Sequence, residues 1–319
     1  MLVLLQRQHT DGLSLVRRVK WSPEGDHLAA IYFERRQGEP RSHVLLWNLH
    51  KSADPVELGS VNGRIMSLEF CGGHYLAAGT GKQRVRLWDL HRNRRLNCLP
   101  HSTRKIRNPW PTPNYPVHHR GSDYARISAG GSREKLWGYA RGCWYQWNVK
   151  AGRIEFAKHL SKPVNVESCA VTSDQRQLLY TDGSLCRLQL DNGFSRSRRL
   201  LRVSTGCEKV TLSRCGQHYA CIDGSQLKLG LLSAPRKSPQ TISGHRSFVY
   251  AAAFGASGHT IITGGQDGTT RVWSTKDYQE QARYNWEIGR ITAIDVSPDG
   301  TAVASGGDGL TSLIVWDLD

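Results

Sequence analysis

The sequence has no apolar run approaching the ~18 residues of a membrane-spanning helix, which excludes a helical membrane span. It has almost no stretch with the 3.6-residue period of an amphipathic helix, so an all-β chain is expected. The eight cysteines (Cys71, Cys98, Cys143, Cys169, Cys186, Cys207, Cys215 and Cys221) include no Cys-x-x-Cys pair, and the ligand spacings of a zinc site are missing. Most lie in apolar or strand-like runs, where a thiol is ordinarily a small buried hydrophobe, so no disulfide framework is expected. Met1 to Leu5 is apolar but lacks the basic flank, adequate core and small-residue cleavage site of a secretory signal. These absences describe a soluble chain, with the cytoplasm as the expected compartment. A phosphate-cradling glycine loop, a metal-ligand motif and a nucleophile elbow are also missing. The expectation is therefore a protein that is not an enzyme and carries neither cofactor nor metal.

What is present is enough for a core. The 319 residues are 39% hydrophobic and include 32 glycines, too apolar for wholesale disorder. That length suggests two or three domains unless the chain is one large β architecture. Acidic residues are the scarcer charge, 27 against 43 basic ones, for a formal net charge of +16. The imbalance is uneven: residues 1–240 carry a net +20 and residues 241–319 a net −4. Arginine outnumbers lysine by 31 to 12. Such a balance fits an acidic partner, whether protein, nucleic acid or anionic lipid; it fits equally a need for solubility alone.

The strongest signal is internal repetition. Val249 to Gly265 (VYAAAFGASGHTIITGG) matches Ile291 to Gly307 (ITAIDVSPDGTAVASGG) over 17 positions without a gap. Each is an alternating strand, a glycine-bearing turn and a second alternating strand, followed by a third strand ending at Trp273 or Trp316. Weaker copies are marked by turn signals at Ser22-Pro23-Glu24-Gly25, Cys71-Gly72-Gly73, Ala129-Gly130-Gly131, Ser173-Asp174-Gln175 and Ser213-Arg214-Cys215-Gly216. The third-strand anchors read as Trp47, Trp88, Trp147, Gln189, Gly230, Trp273 and Trp316, with gaps of 41, 59, 42, 41, 43 and 43. A sheet of three or four short strands cannot bury both faces alone, so neighbouring units must stack. Stacked radially, twisted four-stranded sheets close into a propeller.

Three segments resemble the WD repeat: Gly244-His245 through Thr263, Asp267 and Val272-Trp273; Val85 to Leu90; and Ser305 through Val315-Trp316-Asp317-Leu318. The resemblance spans nearly the whole chain, strong in units six and seven and degenerate in units three to five. It implies one domain over residues 1–319, a seven-bladed β-propeller of four-stranded antiparallel blades. Its units fall near 12–49, 60–90, 121–149, 163–190, 206–232, 245–275 and 287–319. In the family each repeat supplies one blade's outer strand and three inner strands of the next. Asp319 follows a third strand, so the last blade lacks its outer strand, and residues 1–10 are expected to supply it. The resemblance also implies a structural tetrad at His245, Thr263, Asp267 and Trp273, in which each buried polar group is paired. Blade seven keeps Ser305, Asp308 and Trp316, with Glu287 where the histidine stands. Blade two has Ala78 in place of the hydroxyl, and blades four and five have Gln189 and Gly230 in place of tryptophan, which marks them as weak points of the ring.

Function then rests on the loops. Two exceed the repeat template. One lies between the second and third strands of unit one and contains Arg35, Arg36 and Arg41. The other precedes unit three and contains Arg104, Lys105, Arg107, Trp110, Tyr115 and Arg120. The resemblance places both on one rim. Arginine recognises carboxylates bidentately, and aromatics with arginine dominate interface hot spots. The expected function is a monomeric scaffold binding one or more proteins through an acidic face. Two other readings stand beside it: a basic adaptor for nucleic acid or anionic surfaces, and an enzyme built on a propeller. Arg198, Arg199 and Arg202 fall in the expected outer strand of blade four, where they would guard a sheet edge.

Overall fold

Alternating residues between glycine-bearing turns become short strands along the whole chain. A computed structural model describes residues 2–6, 13–51, 54–81, 84–92, 94–96, 99, 124–140, 142–159, 164–190, 198–202, 209–234 and 237–318. After β1 (Leu2–Gln6), blade one holds β2 (Leu13–Trp21), β3 (His27–Arg36), β4 (Glu39–Asn48) and β5 (Val56–Asn62). Blade two holds β6 (Ile65–Cys71), β7 (Tyr75–Thr80), β8 (Arg84–Asp89) and β9 (Arg94–Arg95). Blade three holds β10 (Arg126–Ser128), β11 (Lys135–Ala140), β12 (Cys143–Asn148) and β13 (Arg153–His159). Blade four holds β14 (Ser168–Val171), β15 (Gln177–Thr181), β16 (Ser184–Gln189) and β17 (Arg198–Arg202). Blade five holds β18 (Lys209–Leu212), β19 (His218–Asp223), β20 (Gln226–Leu231) and β21 (Gln240–Ser243). Blade six holds β22 (Val249–Phe254), β23 (Thr260–Gly265), β24 (Thr269–Ser274) and β25 (Glu280–Asn285). Blade seven adds β26 (Ile291–Val296), β27 (Ala302–Gly307) and β28 (Thr311–Asp317) to β1.

The result is a seven-bladed β-propeller. Its closure is the one expected: β1 runs antiparallel to β28, with Leu2 opposite Val315 and Val3 opposite Ile314. The first strand thereby ties the last sheet, and no blade is left with three strands. The cores lie between blades. Leu4, Val16, Leu28, Trp47, Ala293 and Leu313 fill the joint between blades seven and one. Ile31, Ile65, Leu68, Leu76 and Trp88 fill that between one and two. Each sheet therefore buries both faces only because it has two neighbours, which is why the units cannot stand singly.

One backbone hydrogen bond recurs in every blade and fixes the anchor positions. The N–H two residues after the anchor bonds back across the turn that precedes the second strand. The donors are Leu49, Leu90, Val149, Leu190, Leu232, Thr275 and Leu318. This bond sets the blade-four anchor at Leu188, buried and paired with Leu178, rather than at Gln189. The sequence reading was one residue out because blade four has no tryptophan to set the count.

The surplus of unit one is a second departure from expectation. It forms no loose loop; β3 and β4 run to ten residues each, against six in β23 and β24. Glu34 pairs with Arg41 and Arg36 with Glu39 across the extension. Gln37 and Gly38 close it with φ of 48° and 85°, the signature of a two-residue type I′ turn that suits strand twist. Among the described cysteines, Cys71, Cys143, Cys169 and Cys215 are free thiols, whereas Cys221 is disulfide-bonded, against the thiol reading.

Candidate functional site

Blade six carries the most connected polar group of the described residues. Donor inventory fixes its directions. Trp273 Nε1–H donates to Thr263 Oγ1 at 2.8 Å, and the Thr263 hydroxyl in turn donates to His245 Nε2 at 2.8 Å. His245 Nδ1–H donates to Asp267 Oδ1 at 3.0 Å. Asp267 also accepts the N–H groups of Arg246 and Thr269, and Arg271 Nη2 reaches it at 3.4 Å. Burial would raise the Asp267 carboxyl, but these donors outweigh it and hold the group well below its usual range. Burial pulls His245 down, only partly offset by Asp267, so the imidazole is neutral. The set contains a hydroxyl, an imidazole and a carboxylate, yet Thr263 is 1% exposed and its hydrogen bonds are already committed to tryptophan and histidine. It ties Thr263 of β23 and Trp273 of β24 to the segment that leads into β22.

The other blades resolve the same position differently. In blade seven Trp316 Nε1 donates to Ser305 Oγ at 2.9 Å, while Asp308 binds the N–H and guanidinium of Arg290. In blade two, with Ala78 in place of the hydroxyl, Trp88 Nε1 turns to the Leu58 carbonyl of blade one at 3.0 Å. In blade one the equivalent residue is Ala30, and the buried Trp47 Nε1 finds no partner among the described residues. In blade five the ring of Tyr219 occupies the space over Gly230, so that a Cβ there would lie 2.4 Å from it.

Of the residues expected on the rim, Arg35 and Arg41 are exposed on the β3–β4 extension, while the Arg36 side chain lies outside the described set. Arg104, Lys105, Arg107, Trp110, Tyr115 and Arg120 all lie outside the described residues. Glu34 of the hairpin and Glu57 of β5 both contact His43, at 3.2 and 3.0 Å. Beside Arg41 a groove of about 420 Å³ runs between blades one and two. Arg84, Arg86 and Arg95 line it with Ser60, Val61, Asn62, Thr80 and Gly81, and no carboxylate does so among the described residues. Arg86 Nη1 is steadied by the Ser60 carbonyl at 3.1 Å, whereas Arg41, Arg84 and Arg95 are exposed. The sequence reading missed Arg84, Arg86 and Arg95. The available signal was the alternation Arg84-Val85-Arg86-Leu87, which puts both arginines on one face of β8.

The axial channel is ringed by the first strands of the blades. It is about 480 Å³ and is lined by Arg18, Lys20, Arg126, Lys209 and Arg214 together with Glu69, Glu167 and Asp295. Lys20 sits 3.8 Å from Glu69 and 3.9 Å from Asp295. Both acids raise the Lys20 pKa. Among the described residues no group of three or more His, Cys, Asp or Glu is arranged to hold a metal ion. Burial pushes the Cys71 thiol up and that of Cys169 up to about 12, so neither is a thiolate nucleophile at neutral pH. No described helix is long and apolar enough to cross a membrane.

Comparison with known proteins agrees with the repeat. A family model described as WD domain, G-beta repeat matches residues 236–274 and 285–317. Small ribosomal subunit protein RACK1y of Oryza sativa subsp. japonica is 34% identical over 77 residues, 24% of this chain and 23% of that protein. Cross-pathway control WD-repeat protein 2 of Flammulina velutipes is 35% identical over 78 residues, 24% of each chain. Antiviral protein SKI8 of Saccharomyces cerevisiae is 28% identical over 131 residues, 39% of this chain and 32% of its own. These matches span about a quarter to a third of the curated relatives. A chain in a crystal structure of the mitotic checkpoint complex superposes with a TM-score of 0.73, covering 95% of this chain and 86% of its own at 16% identity.

Proposed function

Because this chain belongs to the WD40-repeat β-propeller family, whose members typically act as protein-interaction scaffolds, we propose that it is a non-catalytic scaffold holding an acidic segment of a partner protein. The groove between blades one and two carries the reading. Three exposed arginines and a positioned fourth face a cleft that no described acid neutralises. Guanidinium forks meet carboxylates bidentately, and extended acidic peptide fits a cleft edged by Asn62 and Ser60. The rim rather than blade six is the working surface, since the blade-six polar groups are spent on one another.

The test is binding of an acidic peptide of mixed glutamate and aspartate to wild type and to Arg41→Glu/Arg84→Glu/Arg95→Glu. Wild type should bind, and the triple variant should lose binding at least about tenfold with its melting temperature kept. Equal affinity of the two proteins would end this reading. Preference for single-stranded nucleic acid, with a steep dependence on salt, would replace the protein partner by a phosphate backbone.

A further inference from the structure

We propose that Arg17 and Arg64, at the inner end of the groove between blades one and two, bind a phosphorylated residue of the acidic segment held there. This rests on the reading of that groove and names what its inner end selects. Arg17 owes its placement to the backbone. In the β2–β3 ladder Val16 faces Tyr32 and Arg18 faces Ile31, so Arg17 is the extra residue of a β-bulge. A bulge bends its strand and re-aims the side chain it carries. The first strands of blades two, six and seven bulge at the same step, at Met66, Tyr250 and Thr292. Those side chains are uncharged; Thr292 donates to the Val16 carbonyl and Tyr250 is hydrogen-bonded to Arg290. Of these four blades, blade one puts a cation at the bulge.

A second cation shares its backing. The guanidinium carbons of Arg17 and Arg64 lie 4.9 and 5.8 Å from the centre of the Phe33 ring, within the ~6 Å reach of a cation–π contact. Phe33 is fully buried, so the ring is a floor beneath them. Neither arginine forms an ion pair among the described residues. Arg17 Nε is buried with no hydrogen-bond partner there, and Nη1 meets the weakly accepting Met66 sulfur at 3.7 Å. Burial, then Arg64, pulls the Arg17 pKa below its ordinary value, with Tyr124 opposing them. A buried donor beside a like charge is costly until an anion meets it.

The pair is continuous with the groove. Asn62 lines the groove and Arg64 stands two residues further on, just before β6. On the other wall Gly81 lines it and packs against Tyr124, where a Cβ would lie 3.5 Å from the ring; Tyr124 in turn acts on Arg17. Charge and donor count give the ligand class. A carboxylate brings one negative charge and one edge, whereas a phosphate monoester carries about −1.5 to −2 at neutral pH and three acceptor oxygens. Two guanidinium groups with no acid between them match the phosphate. Arg64 is exposed and makes no hydrogen bond among the described residues, which lets it close on the ligand from the solvent side.

The experiment measures the affinity of one acidic peptide carrying phosphoserine, serine or glutamate at a central position. The full chain is compared with Arg17→Gln, Arg64→Gln and the Arg41→Glu/Arg84→Glu/Arg95→Glu variant. Wild type should bind the phosphoserine peptide at least about tenfold more tightly than the other two. Arg17→Gln and Arg64→Gln should each abolish that preference while binding the serine peptide as wild type does. The triple variant should weaken all three peptides and keep the preference. Arg153→Gln, exposed on β13, should change neither. The preference should fade as pH drops through about 6, where the phosphate loses its second charge. No preference in wild type overturns the proposal, and the groove reading survives if the serine peptide still binds. Failure of all three peptides to bind overturns both. Loss of the preference in Arg153→Gln reduces it to overall charge and overturns the proposal as well. If Arg17→Gln fails to fold, the surface variant Arg64→Gln decides alone.

Discussion

Blades six and five stand side by side with the same four-stranded frame, yet they secure the third-strand anchor by opposite means. Blade six relays Trp273 through Thr263 and His245 to Asp267, which Arg271 also touches. Blade five has no indole at all; Gly230 leaves a gap that Tyr219 fills from the neighbouring strand. One sheet is held by directional polar bonds, the other by shape. Blade one is a third state, with the indole kept and its acceptor lost. The backbone of the blade is thus indifferent to how the anchor is satisfied, and the energetic consequences are not.

The largest effect is expected from Asp267→Ala. It strands His245 in a buried setting, while Arg271 keeps its ion pair to Glu280 at 2.9 Å, and should cost about 3 kcal/mol, read as a lower melting temperature. Hydrogen exchange should then show β22 to β24 opening first; an unchanged melting curve would mean that the polar chain adds nothing over blade five. Next is Gly230→Ala, whose Cβ would stand 2.4 Å from the Tyr219 ring. Overpacking there should cost about 1–3 kcal/mol by denaturant unfolding, and a neutral result would deny the shape account. A smaller gain should come from Ala30→Ser, which puts a hydroxyl where Ser305 serves Trp316. It should stabilise by about 1 kcal/mol, and Trp47→Phe in the same chain should erase the gain.

The smallest expected effect is on pH dependence. The folded His245 has a pKa below its ordinary 6.5, so the unfolded chain takes up that proton first. Stability from this group is full above 6.5 and declines as pH falls through that value. Asp267 is also depressed, below its ordinary 3.8, so its contribution is lost only in stronger acid. Melting temperature should fall in two stages on acidification. His245→Gln should shrink the first stage, to which His218 also contributes, and leave the second; an unchanged first stage would sever the histidine from the relay.

Much of this was legible in the residues. The repeat of alternating strands and glycine turns yielded seven blades and the closing role of β1, because period and pattern are local properties. His245, Thr263, Asp267 and Trp273 were readable since spacing within one unit places them. Gln189 misled because the true anchor, Leu188, is unmarked among other apolar residues. The surplus around Gln37-Gly38 read as a loop, since length alone does not separate a loop from a strand pair extended past the rim. Arg84, Arg86 and Arg95 escaped notice because their neighbour Arg41 comes from another blade.

The sequence by itself determined how many sheets form and that they must share their apolar faces, since a strand pattern of period two with short turns allows little else. Only the tertiary structure decided which charges meet. Lys20 and Asp295 stand near opposite ends of the chain and come within 3.9 Å solely because the ring closes. Ring closure converts separations along the chain into angles about one axis, and no local pattern encodes that.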